Sequence, residues 1–199
     1  MTKLKGLVRG VGVNDAEYLV STRDEDGRRI TCHFYNTWVG MINRCYSPKV
    51  LLRQPTYAGC SVAPEWLSFT AFKSWMEAQD WKGNVLDKDI LVEGNKVYGP
   101  DTCAFVSHKT NSFILDSRAS RGGLPVGVYW RDRRSNFSAQ CGNPFTGKSE
   151  SLGSYSCANQ AHEAWRNRKH ELACIFAEQQ TDPRVANALR TRYMEANKV

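Results

Sequence analysis

"GVYWRDRRSNFSAQ", residues 127–140, holds three arginines, three aromatic rings and one acid in a short stretch. Alternate residues of an extended segment share a face. Val126, Val128 and Trp130 therefore form one set, and Gly127, Tyr129 and Arg131 the other. Beyond a turn at Arg133 and Arg134, Phe137, Ala139 and Cys141 form an apolar set, and Asn136, Ser138 and Gln140 a polar one. A third extended segment, "SESLGSYS" (149–156), follows the turn "NPFTGK". Then "CANQAHEAWRNRKHELACIFAEQQ" (157–180) places Ala161, Ala164, Trp165, Leu172, Ile175 and Phe176 at helical spacing, with Ser156 as the expected N-cap. Asp182-Pro183 opens a last helix. The order βββα predicts a three-stranded antiparallel sheet with one face on a helix. The other face would carry Tyr129, Arg131, Asn136, Ser138 and Gln140. An ordinary wet face favours Thr, Lys and Glu. Guanidinium groups and amides instead suit phosphate oxygens and base edges, so this face reads as a nucleic-acid surface.

Charge supports that reading. The 199 residues carry a formal net charge of +7. Residues 1–117 hold 14 Lys and Arg against 13 Asp and Glu, whereas residues 118–199 hold 13 against 7. A basic half beside a neutral half suggests a polyanionic partner. No run of about 18 apolar residues occurs, so neither a transmembrane helix nor a signal peptide is expected. The seven cysteines form no CxxC pair, and reduced, mostly buried thiols in a cytosolic setting are expected. Cys32, His33, Cys45 and Cys60 offer zinc-ligand types but no standard zinc spacing.

The N-terminal half reads as mixed structure. "EYLVST" and "RRITCHF" flank Asp26-Gly27, a hairpin signal. "FYNTWVGMINRCYS" (34–47) has helical spacing through Trp38, Ile42 and Cys45, with Pro48 expected to end it. "EWLSFTAFKSWMEAQ" (65–79) repeats the pattern through Phe69, Phe72, Trp75 and Met76, and these aromatics are expected in the core. Residues 85–92, "VLDKDILV", alternate like a strand, which would put Asp87 and Asp89 on one face. Residues 117–125, "SRASRGGLP", form the expected linker.

The stretch "GVYWRDRRSNFSAQC…GKSESLGSYSCANQAHEAWRNRKHELA" resembles the APETALA-type (ethylene-response-factor-like) DNA-binding domain. The resemblance rests on Gly127-Val128, Arg131, Phe137, Ala139, Gly147-Lys148, Leu152-Gly153, Ala161 and Ala164-Trp165, in order, over about 50 residues. It implies a sheet that enters the major groove, with Tyr129, Arg131, Arg133, Arg134, Gln140 and Lys148 as DNA contacts. Tyr129 stands where the plant family usually has arginine, which implies a different target. Arg44, in the first helical segment, is counted as a further DNA contact. His162, His170 and Asp132 are expected to be bystanders, the histidines solvent-facing and the aspartate orienting a guanidinium.

The segment "YNTWVGMINRCYSPK…PTYAGCSVAPEWLSFTAFKSWMEAQ…LDKDILVEGNKVYGPDTCAFV" looks like the phage-encoded HNH-type homing endonucleases, many of which carry an APETALA-type domain. That likeness implies a ββα unit holding one divalent metal, magnesium by preference, which stabilises charge on a scissile phosphate. In this frame Asp87, Asp89 and Asn95 bind metal, and Thr102 falls at the helix-ligand position. Lys88 stands in place of the general-base histidine. A lysine of ordinary pKa is protonated and suited to neutralising a phosphate, so the base role passes to His108. The catalytic set is then Asp87, Lys88 and His108.

These readings predict an α+β protein. Residues 1–116 would form the HNH-like domain with its N-terminal hairpin. Residues 126–199 would form the APETALA-type βββα domain with an extra C-terminal helix. The expected function is sequence-specific, metal-dependent endonuclease action on double-stranded DNA in a cytoplasm, the host's if the chain is phage-encoded, with no small-molecule cofactor or membrane. The alternative is a catalytically inactive DNA-binding protein on an HNH-like scaffold.

Overall fold

The computed structural model describes residues 7–115 and 123–194. The fold is α+β, and the chain divides into one compact unit ending at Val106 and another beginning at Ser107. Among the described residues no helix is long and apolar enough to cross a membrane.

The first unit opens with an antiparallel hairpin, β1 (Ser21–Arg23) and β2 (Arg29–Thr31), in register Ser21↔Thr31. Helix α1 (His33–Tyr46) follows and ends just before Pro48, as expected, and Pro48 then begins a second helix, α2 (Pro48–Arg53). Proline is pre-organised for a first helical turn and there loses no needed hydrogen bond. Strand β3 (Ser61–Val62) precedes α3 (Phe69–Glu77), which starts later than its periodicity suggests because Ser68 Oγ accepts from the Ala71 amide and caps it. The aromatics are core. Trp38, Phe69, Phe72 and Met76 are fully buried, and Trp38 Nε1 donates to the Trp66 carbonyl at 2.7 Å.

Strand β4 (Asn84–Asp87) pairs with β6 (Ala104–Ser107), and β5 (Val97–Tyr98) runs parallel to β3. The strand expected over 85–92 stops at Asp87, so Asp87 and Asp89 do not share a strand face. Asp87 Oδ1 accepts from the amides of Asp89 (2.8 Å) and Ile90 (2.6 Å). A side-chain carboxylate that captures the next amides makes a turn and removes them from a ladder.

The second unit begins with α4 (His108–Ile114), whose Phe113 lies 4.8 Å from the Phe176 ring and 3.5 Å below Lys169 Nζ. The boundary expected after residue 116 placed this helix with the first unit. Of the expected linker, residues 117–122 lie outside the described residues. Strands β7 (Val128–Arg131), β8 (Asn136–Asn143) and β9 (Lys148–Tyr155) form an antiparallel sheet in that order. Helix α5 (Ala158–Glu178) covers one face, and α6 (Pro183–Thr191) packs on α5. Cys157, not Ser156, occupies the N-cap of α5, and Ser156 Oγ lies 3.4 Å from Gln160 Oε1. Asp182 caps α6 through the Arg184 amide at 2.8 Å.

Val128 and Ala139 meet Ala161 of α5 in a small core, with Phe137, Leu152 and Tyr155 around it. Trp130 edges this core, 4.8 Å from Phe137, and stays 45% exposed. Ile175, grouped with the core by spacing, is 40% exposed. The entry to β7 is fixed by Gly127, whose φ is 78° and whose missing Cβ would lie 2.1 Å from Trp165 Cγ. Gly127→Ala should therefore destabilise the second unit by about 2–4 kcal/mol, combining a strained left-handed residue with overpacking. Urea unfolding of the full chain checks this, and an unchanged midpoint would show that Trp165 moves aside freely.

Candidate nucleic-acid interface

The sheet face opposite α5 is set by register. Tyr129 pairs with Ser138, and Ser138 with Ser154; Arg131 pairs with Asn136; Gln140 pairs with Ser151, and Gly142 with Ser149. A bulge between Ala139 and Gln140 offsets β9, so that Ala139 opposes Gly153 while Gln140 opposes Ser151. Tyr129, Arg131, Asn136, Ser138 and Gln140 thus lie together on the face that α5 leaves uncovered. Serines and Gly142 supply its low floor, and no Asp or Glu belongs to these pairs.

Its cation is positioned. Arg131 Nη2 donates to Tyr129 Oη at 2.7 Å, and the guanidinium lies 5.3 Å from the Tyr129 ring centroid. The hydrogen bond from Arg131, assisted by one from Ser138, lowers the Tyr129 pKa. Ser138 is wholly buried beneath this pair, its hydroxyl 3.4 Å from that of Ser154. Gln140 is exposed, as are Arg133 and Arg134 in the 3-10 turn Asp132–Arg134. Among the described residues neither arginine makes an ion pair, and Asp132 orients no guanidinium. Asn136 Oδ1 is buried and accepts no hydrogen bond among the described residues. The contacts named from sequence did not include Asn136, although strand alternation already placed it on this face.

Lys148 lies elsewhere. It pairs with Asn143, and alternation puts it on the side of Cys141 and Glu150. The one acid of β9, Glu150, is held on that helix side by Arg168 Nε at 2.7 Å and Asn143 Nδ2 at 2.7 Å. These bonds, that from Arg168 foremost, depress the Glu150 pKa. The carboxylate's stabilisation is present above the unfolded value near 4.5 and is lost as pH falls through the lower folded value. Glu150→Gln should flatten the acid limb of the second unit's stability between pH 3 and 5. Denaturation at stepped pH measures this, and an identical acid limb in the variant would refute it. His162 and His170 are not simply solvent-facing. His162 Nδ1 is 2.9 Å from the Val126 carbonyl oxygen, and the buried His170 Nδ1 lacks a partner among the described residues.

Arg44 is not presented as a surface cation. Its guanidinium packs 5.3 Å from the ring of buried Tyr98 and 5.9 Å from Tyr57, and Nε donates to the Gly40 carbonyl at 3.3 Å.

Asp87, Lys88, Asp89 and Asn95 do gather, in the loop after β4. Lys88 is 6% exposed, and its Nζ donates to both Asp89 oxygens at 2.8 Å and to the Asn95 carbonyl at 2.6 Å. Asn95 Nδ2 donates to the Lys88 and Val97 carbonyls, while its Oδ1 accepts from the Val97 amide at 3.0 Å. Thr102 Oγ1 donates to the Val97 carbonyl at 2.7 Å. Burial raises the Asp87 pKa against the lowering by its two backbone donors. This donor set does not suit a divalent cation. Both Asp89 oxygens, Asp87 Oδ1 and Asn95 Oδ1 are engaged, and the Lys88 ammonium supplies the local positive charge. No group of three His, Cys, Asp or Glu side chains among the described residues could hold a metal. His108 is exposed at the start of α4, in the second unit. The described cysteines are free thiols; Cys45, Cys60, Cys103 and Cys141 are buried, and burial pushes Cys45 and Cys103 up to about 12.

Lys88→Met should destabilise the first unit by roughly 2–4 kcal/mol, because it removes the buried ammonium that bonds the Asp89 carboxylate and is the donor to the Asn95 carbonyl. Thermal unfolding checks this; a variant as stable as wild type would mean that the ammonium does not hold the loop.

No protein-family model matches the sequence, and comparison with curated proteins and with solved structures finds no match.

Proposed function

We propose that the chain is a sequence-specific double-stranded DNA-binding protein whose second unit lays the free face of β7–β8–β9 in the major groove. The observation that carries this reading is the acid-free face on which Arg131 is braced by Tyr129, beside Gln140 and Asn136. A two- or three-stranded ribbon fits the roughly 12 Å width of that groove. Arg131 supplies a guanine-type fork, and the exposed Gln140 supplies an adenine-type amide. Arg133 and Arg134, at the β7–β8 turn, are placed to contact phosphates, which set register rather than sequence.

Two classes of effect separate these roles. With a duplex selected from a randomised library, Arg131→Ala should weaken binding by about 1–3 kcal/mol and relax preference at one base pair. Arg133→Gln or Arg134→Gln should weaken all duplexes alike and lower the slope of log K against log salt by about 1 each. Selection that returns no enriched sequence, or an Arg131→Ala chain with unaltered preference, would contradict groove reading. Equal competition by RNA would do the same.

A second reading, DNA cleavage at the Asp87 loop, is favoured by one observation. Asp87 Oδ2 accepts no hydrogen bond among the described residues and is the loop carboxylate oxygen left for chemistry. It requires duplex nicking that Asp87→Asn abolishes, and it assigns no step to a metal because the donor set of this loop does not suit a divalent cation. A wild-type chain that does not nick leaves the binding reading alone.

A further inference from the structure

Beside the β8–β9 turn lies a cavity of about 470 Å³, lined by Lys109 of α4, Lys148 of β9 and Lys169 of α5, with Ser112, Asn143 and Gly147 among the other residues. All of these belong to the second unit. Three lysines line one concavity, and none of the described residues lining it is acidic. The nearby acid of β9 is already engaged, since Glu150 accepts from Arg168 and Asn143.

Each lysine is placed by something specific. Lys109 Nζ lies 4.6 Å from the centroid of Phe145, the aromatic residue of the β8–β9 turn. Lys169 Nζ is held 3.5 Å over Phe113 and donates to the Phe113 carbonyl at 2.7 Å. The Phe145 ring positions the Lys109 ammonium without neutralising it, because an aromatic face carries no net charge. Lys148 is exposed at the start of β9, and among the described residues neither Lys109 nor Lys148 makes an ion pair. The turn itself is rigid. Asn143 Oδ1 accepts from the Phe145 amide at 2.8 Å, and Gly147, at φ 69°, closes the loop on the Asn143 carbonyl.

Like charges brought together on a folded surface repel, and this costs stability unless an anion is shared. A cluster of lysines with hydroxyls at hand suits a phosphate oxygen, which takes point charges from ammonium groups. The cavity also adjoins the proposed DNA surface, because the paired residues Gly142 and Ser149 border it and belong by alternation to the free face.

We infer that this cavity holds a backbone phosphate of the duplex bound on the free sheet face, so that α4 acts as part of the DNA-binding unit. The inference rests on the DNA-binding reading. It assigns Lys109 a role that the sheet alone does not give it, and it gives Lys148 a phosphate rather than a base to contact.

The test uses the full chain and the selected duplex, with dissociation constants measured by fluorescence anisotropy across a series of KCl concentrations. Lys109→Gln/Lys148→Gln should lower the slope of log K against log salt by about 2, and Lys148→Gln alone by about 1, with the preferred sequence unchanged. Arg53→Gln, at the exposed end of α2 in the first unit, removes one charge that belongs to neither the cavity nor the sheet and should leave the slope as in wild type. Both lysines are solvent-exposed, and unfolding curves for each variant confirm that the fold is kept. Slopes unchanged in the lysine variants, or lowered equally by Arg53→Gln, overturn the cavity site while leaving the sheet reading in place. A wild-type chain that binds no duplex overturns both. Inorganic phosphate, followed through the amide resonances of Gly142 and Gly147, distinguishes the source. Saturation by phosphate that the lysine variants lose, with unchanged duplex slopes, would assign the cavity to a free anion and also overturn the inference.

Discussion

The approach of Gly127 to Trp165 sets the architecture of the second unit. No side chain can stand between the entry of β7 and α5, because a Cβ there would lie 2.1 Å from the indole. That contact seats the helix against one face of the sheet, where Val128, Ala139 and Ala161 close a core of small residues. A sheet three strands wide with one helix on it has one face left over. Everything proposed for DNA follows from which side chains the strand alternation turns onto that remaining face.

Electrostatics sharpen the asymmetry. The helix side of β9 carries Glu150, and Arg168 holds it there. The free side carries Arg131, braced on Tyr129, among serines and amides. Part of the basic excess of residues 118–199, Arg131 with Arg133 and Arg134 at the adjoining turn, thus stands on or beside a face whose paired residues include no acid, an arrangement that attracts a polyanion. The first unit has the opposite character. Its conspicuous charges, Lys88 and Asp89, are joined to each other and stapled by Asn95, and Arg44 is packed on tyrosines. Such groups hold a loop and a core together.

Much of the second unit was legible in the sequence. The period of two in residues 126–142 and the i, i+3, i+4 pattern after residue 157 each report which face is buried, and burial is what those periods encode. Tyr129, Arg131 and Gln140 were placed correctly on the free face for that reason. Lys148 was named as a contact from the resemblance alone, and its face depends on the register with Asn143 across the turn, which no single strand reveals. The strand expected through Asp89 was stopped by a side chain, Asp87, that bonds the following amides. A period of two cannot distinguish a ladder from such a turn. Pro48 marked the end of α1 correctly but gave no sign that it also opens α2, since proline ends one helix and begins another with equal ease. The lysine cavity had no sequence signal, because Lys109, Lys148 and Lys169 come from three separated elements.

The claim on which the account depends is that the free face of β7–β8–β9 is the surface that meets DNA. Backbone amide shifts of the isotope-labelled full chain, titrated with the selected duplex, test it directly. The account predicts that the largest changes fall on residues 128–131, 136–142 and 148–154 and on the turn of Arg133 and Arg134, with α6 and the core of the first unit little affected. Changes concentrated on α6, or on α1 and α3, with residues 128–131 unmoved, would contradict it.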